Sequence, residues 1–139
     1  MPSAASSTSR PPKPLVLFVD ESLDSLTVVE ALREAGAVVE RHADHFKKGT
    51  ADETWLMHAG AKGWIVLTRD KRIRYRQLER LALTAAQVRA FVFTGGNVTV
   101  KDTAAILVKA LPRIHTLCQA HPGPFIYHIG LAGKPHQVA

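Results

Sequence analysis

Gly63-Trp64-Ile65-Val66-Leu67-Thr68-Arg69-Asp70-Lys71-Arg72-Ile73-Arg74 (GWIVLTRDKRIR) decides how this chain is read. Trp64–Thr68 (WIVLT), bounded by Gly63 and a charged segment, reads as the clearest strand of the chain. Leu15–Val19 (LVLFV) is a continuous apolar run, as expected of a strand buried on both faces, and Arg89–Thr94 (RAFVFT) is a further strand. Between these runs the spacing turns helical. Leu23 to Ala35 places Leu23, Leu26, Val29 and Leu32 on one side, with Gly36 as a C-terminal cap. Ala37–Glu40 is a second short strand. Thr50-Ala51-Asp52-Glu53 has the capping-box pattern and is expected to open a helix that Gly60 stops.

Further along, Tyr75 to Leu83 reads as helix and Gly95-Gly96-Asn97 as a turn. Thr99 caps a helix running to about Gln119, in which Pro112 is expected to make a kink. Phe125–Ile129 is the last strand expected. Strands alternating with helices give an α/β fold with a mostly parallel sheet, right-handed crossovers and helices on both faces.

With 139 residues, 46% hydrophobic and 22% charged, the chain suits one globular domain. Its longest apolar runs are far short of the ~20 residues of a membrane span. The expected division is a disordered tail over 1–14, one domain over 15–131 and a C-terminal tail over 132–139. Met1–Pro14 is rich in Ser, Ala and Pro and lacks the apolar core of a signal peptide. The lone cysteine, Cys118, excludes an internal disulfide and fits a reducing cytoplasm.

The formal charge of +6 favours a polyanionic partner, and it is concentrated. Arg69, Lys71, Arg72, Arg74, Arg76 and Arg80 face only Asp70 and Glu79 in their stretch. Arg69, Arg72, Arg76 and Arg80 are spaced so that one helix would align them as a stripe. Arginines match phosphate geometry, and Tyr75 among them offers a ring for an unpaired base.

Open parallel sheets bind ligands at the carboxyl ends of their strands. Three acids fall there: Asp20 directly after the first strand, Asp52 at the helix following the second, and Asp70 just past the third. Two such charges ~4 Å apart repel by roughly 4 kcal/mol at an effective dielectric near 20. A divalent cation relieves that repulsion, and hard oxygen ligands suit Mg2+ or Mn2+. Each acid has a structural reading too. Asp20 can cap the next helix, Asp52 and Glu53 suit a helix start, and Asp70 can pair with Arg69 or Arg72. Neither His42-Ala43-Asp44-His45 nor His115 with Cys118 and His121 has the spacing of a structural zinc site.

These residues resemble those of the PIN-like domains, in the branch similar to VapC-type toxins of type II toxin–antitoxin modules. The resemblance rests on Phe18-Val19-Asp20-Glu21, Asp52-Glu53-Thr54-Trp55, Gly63 to Arg74, Phe91 to Asn97, Ala110 to Ile114 and Pro122 to Ile126. It spans roughly Leu15 to Leu131. What it implies is a three-layer α/β/α sandwich and a Mg2+- or Mn2+-dependent ribonuclease. Asp20, Asp52 and Asp70 match the family's catalytic, metal-binding acids; Arg69, Lys71, Arg72, Arg74 and Arg76 are the candidate RNA contacts. A cognate antitoxin blocking the site is implied as well, and the resemblance leaves room for a homodimer. There is one departure: Arg72 stands where many PIN domains hold a fourth acid, which favours a single metal or weak activity. Glu79, Glu21 and Glu53 are the nearby acids open as substitutes.

Two other readings use the same residues. A non-catalytic RNA- or antitoxin-binding module would keep the fold without the chemistry. A phospho-acceptor signalling domain would want its Asp at the very end of the third strand and a Lys ending the fifth. Neither is present here.

Overall fold

The computed structural model describes residues 15–139; the tail expected over Met1–Pro14 lies outside them. The chain forms β1 (Val16–Val19), α1 (Leu26–Glu34), β2 (Val38–Arg41), a single turn α2 (His42–His45), α3 (Asp52–Lys62) and β3 (Ile65–Thr68). A 3-10 turn over Lys71–Arg74 leads into α4 (Gln77–Ala85), followed by β4 (Arg89–Phe93), α5 (Val100–Ala120), β5 (Phe125–Ile129) and β6 (Pro135–Gln137). All six strands lie in one sheet ordered β2-β1-β3-β4-β5-β6, parallel except for β6.

Alternate residues of the buried strands feed two cores. Leu17, Val19, Ile65, Leu67, Phe91 and Phe93 point to the face covered by α1 and α5. Phe18, Val66, Ala90, Val92 and Ile126 point to the face covered by α3 and α4. The unbroken apolar runs are what two such faces require. The result is the three-layer α/β/α arrangement expected from the sequence. Among the described residues, no helix is long and apolar enough to cross a membrane.

Four local expectations fail for identifiable reasons. The capping box does not form: Ala51 is the N-cap of α3, and the Thr50 hydroxyl instead donates to the Lys47 carbonyl at 2.6 Å. Glu53 is therefore not held there as a box partner. Gly60 does not end α3; the helix runs on to Lys62 and stops at Gly63, whose φ of +72° is the left-handed C-terminal geometry. Gly60 serves packing instead, because a Cβ there would lie 2.4 Å from the Ala86 Cβ. Residues 132–139, expected as a tail, carry β6, which pairs with β5 and covers that sheet edge. The arginine stripe also breaks. The 3-10 turn ends at Tyr75, and Arg76 is extended as the N-cap of α4, so no single helix holds all four arginines.

By contrast, Thr99 caps α5 by accepting from the Asp102 amide at 3.0 Å, and α5 stays helical on both sides of Pro112.

Candidate active site

Asp20 sits at the carboxyl end of β1, where the amide of the same residue reaches across to the Leu67 carbonyl of β3 at 3.2 Å. Its carboxylate is buried, only 5% exposed. One oxygen accepts from the Ser22 amide at 3.1 Å and from the Ser22 hydroxyl, while the other accepts from the Thr68 hydroxyl at 2.6 Å. Thr68 is the last residue of β3, and its Oγ1 also accepts from the Asp70 amide at 3.0 Å. One hydroxyl thus fixes Asp20 and the Asp70 backbone relative to each other. Burial raises the Asp20 carboxyl to about 6 against those hydrogen bonds, with the Asp52 charge adding a smaller push in the same direction.

Asp70 caps the 3-10 turn, its Oδ1 accepting from the Arg72 amide at 3.0 Å and the Arg72 Nε at 3.1 Å. Asp52 opens α3 and accepts from the Trp55 indole N–H at 2.9 Å. Glu79, in the first turn of α4, is buried at 5% exposure. Among the described residues, Asp52, Asp70 and Glu79 bring carboxylate oxygens within 4.8 Å of one another. Burial, then hydrogen bonding and charge from Asp52, push Glu79 up to about 7, opposed by Arg76.

The Arg76 Nη1 lies among these three acids, 3.5 Å from Asp52 Oδ2, 3.3 Å from Asp70 Oδ2 and 3.4 Å from Glu79 Oε1. A cation therefore already stands where the repulsion is greatest. Oxygen-only donors at this spacing, gathered around a positive group, fit a small hard divalent ion. Asp52, Asp70 and Glu79 are the residues that would hold it, with Asp20 alongside.

The sequence-derived trio of Asp20, Asp52 and Asp70 is thus placed at one rim, but the converging oxygens come from Asp52, Asp70 and Glu79. Glu21 turns elsewhere, accepting from the Gly49 amide at 3.1 Å. Glu53 is half-buried and is not in the group. The signal for Glu79 was its place three residues beyond Arg76, at the start of a helix entering the same rim.

The basic residues divide. Arg69 turns inward, donating to Gly96 O at 3.2 Å and Thr103 Oγ1 at 3.0 Å, with its guanidinium over the Phe93 ring at 5.1 Å. Arg76 is spent on the acids. Arg74 lies over the Tyr75 ring at 5.2 Å and is half-buried. Lys71 and Arg72 are exposed, Arg72 by 71% of its side chain despite its pairing with Asp70.

The two raised carboxyls give a pH expectation. The folded protein holds those protons more tightly than the unfolded chain, so their contribution is fully present below about pH 4 and fades as pH rises through 6 and 7. For Asp20 alone the change from 3.8 to about 6 amounts to about 3 kcal/mol. In EDTA the thermal midpoint should fall between pH 5 and 8, and Mn2+ at pH 8 should restore it. A midpoint that climbs over that range with EDTA present would contradict the burial of these acids.

The family model described as a PIN like domain matches residues 15–95, from the start of β1 to just past β4. A protein of Mycobacterium tuberculosis (strain ATCC 25618 / H37Rv) named "Putative ribonuclease VapC45" is 28% identical over 117 residues, covering 81% of this chain and 84% of that protein. No solved structure matches the chain.

Proposed function

We infer, because this chain belongs to the PIN-like domain family, that it is a metal-dependent endoribonuclease and the toxin of a toxin–antitoxin pair. The observation that carries the reading is the convergence of Asp52, Asp70 and Glu79 within 4.8 Å, from α3, the turn after β3 and α4. The name of the mycobacterial relative supports RNA as the substrate. A cognate antitoxin is the partner that would block the rim, and a homodimer and a cytoplasmic location belong to the same reading.

Bound Mg2+ or Mn2+ would activate a water and screen the scissile phosphate. The chain's own residues supply the rest. Asp52, Asp70 and Glu79 offer the oxygen ligands, and Asp20, locked by Ser22 and Thr68, adds negative charge behind them. Lys71 and Arg72 are exposed beside Asp70, where they meet phosphates of the flanking nucleotides. Arg74 and Tyr75 extend that surface toward α4, where the 72% exposed Tyr75 ring, with the Arg74 guanidinium over it, offers a stacking platform for a base.

A second reading keeps RNA or antitoxin binding without cleavage. Its motivation is Arg72 at the place of a fourth acid and Arg76 inside the acid group. One experiment separates them. Single-stranded RNA is incubated with the protein in EDTA, Mg2+ and Mn2+, and the products are resolved by size. Cleavage that appears only with metal supports the ribonuclease. Salt-sensitive binding with no metal-dependent product supports the second reading.

A further inference from the structure

Beside the acid group, at the carboxyl ends of β1 and β2, lies a cavity of about 650 Å³ that the reading above does not use. Its volume is in the range of small-ligand sites. Glu21, Asp24, His42, Phe46, Lys47 and Lys48 line it. Asp24 is committed elsewhere, to Arg41 at 2.7 Å and the Ala43 amide at 3.3 Å. His42 is 1% exposed, and its Nε2 makes no hydrogen bond, the nearest charge being Glu21 Oε1 at 3.4 Å. That nitrogen is closed off from solvent and faces the Glu21 carboxylate at the cavity edge. Phe46 is half-buried, held edge-on by Phe18 at 6.1 Å and by His58 at 5.3 Å. Lys47 and Lys48 are exposed at the mouth.

We propose that this cavity is a nucleotide subsite that selects a guanine base of the RNA next to the cleaved bond. The proposal rests on the ribonuclease reading for its substrate class. The lining offers the partly exposed Phe46 ring, the Glu21 carboxylate for a base edge, and the exposed Lys47 and Lys48 for a phosphate. The His42 ring lies 6.4 Å from the Trp55 ring, whose indole donates to Asp52, so a base held here belongs to a nucleotide near the acid group. The Glu21 carboxylate only accepts hydrogen bonds. Guanine is the base whose edge offers two neighbouring donors, N1–H and the N2 amino group, to one carboxylate. Glu21 Oε1 takes the Gly49 amide with one lone pair, so its second lone pair and Oε2 remain to accept the two guanine donors.

The test uses the full chain in EDTA with the four nucleoside 5′-monophosphates, followed by calorimetry and by Trp fluorescence. Trp55 and Trp64 lie 6.4 Å from His42 and 5.0 Å from His45, so an occupied cavity should change their emission. Guanosine monophosphate should bind at least tenfold tighter than uridine monophosphate. Glu21→Gln should remove most of that preference, and the Lys47→Glu/Lys48→Glu double variant should weaken all four nucleotides about tenfold. Both variants change exposed or half-exposed side chains, and circular dichroism verifies that they fold. Equal binding of the four nucleotides, or no change in the variants, overturns the subsite. If metal-dependent cleavage fails while guanosine binding holds, the ribonuclease reading falls and with it the placement beside a cleaved bond, leaving a guanine-nucleotide site; the reverse pattern removes the subsite alone.

Discussion

Asp70→Asn is expected to lower the rate of metal-dependent RNA cleavage by roughly a hundredfold or more at saturating Mn2+, with the fold intact. Asn keeps the side-chain oxygen that caps the 3-10 turn, so the Arg72 amide at 3.0 Å retains its acceptor. What it loses is a charge and one hard ligand from a group of three. Losses of this size follow when a single preorganised electrostatic contact to a transition state is removed. Asp70 is a cleaner probe than Asp20. The Asp20 carboxylate accepts three hydrogen bonds while buried, so an amide there must turn its NH2 toward one of those donors and destabilise the protein by about 1–3 kcal/mol. The comparison therefore needs both readouts: single-turnover cleavage and thermal unfolding of each variant. Wild-type cleavage by a folded Asp70→Asn protein would remove Asp70 from the chemistry. A loss matched by unfolding would show only that the cap matters.

The contrast between these two acids shows what the amino-acid order could reveal. LVLFV is apolar at every position and WIVLT at all but its closing Thr68 because both faces of β1 and β3 are covered, and that is visible without coordinates. It follows that Asp20 and Asp70 come out at one rim, since parallel neighbours share their carboxyl ends. Glu79 was harder to place. Reaching it depends on the 3-10 turn that Asp70 caps and Ile73 anchors in the core, which turns α4 back so that its first turn meets α3. A run of arginines hides such a turn, because their spacing fits a helix equally well. The capping box misled for a similar reason. Gly49, at φ +83°, lets the Lys47–Thr50 turn close and diverts the Thr50 hydroxyl from the helix it was expected to cap. Strand β6 left no pattern to read, since an edge strand starting at a proline is held by backbone pairing with β5 rather than by alternation.

Arg76→Gln is expected to tighten Mn2+ binding by tenfold or more, although it removes a residue that the sequence alone would assign to RNA. Its Nη1 stands 3.3 to 3.5 Å from oxygens of Asp52, Asp70 and Glu79, the position of greatest negative potential in the group. A tethered monovalent cation there offsets their repulsion, so a divalent ion must displace it or bind against its field. One unit charge at ~4 Å is opposed by roughly 4 kcal/mol at an effective dielectric near 20. Partial exposure of Arg76 and its freedom to swing away reduce that to the order of 1–2 kcal/mol, which is a tenfold change. Removing the guanidinium also takes away the influence that lowers Glu79, so the Glu79 proton should be held more tightly still. Without metal the variant should unfold at a lower temperature than the wild type near pH 8, where the acid group has lost the cation tethered among its three acids. With Mn2+ the order should reverse or close. Calorimetric titration of Mn2+ into both proteins reads the first effect, and unfolding in EDTA and in Mn2+ reads the second. Weaker Mn2+ binding by Arg76→Gln would mean that the guanidinium stays in place beside the ion and supports it. The cluster would then be a mixed site in which arginine and metal share the phosphate's charge.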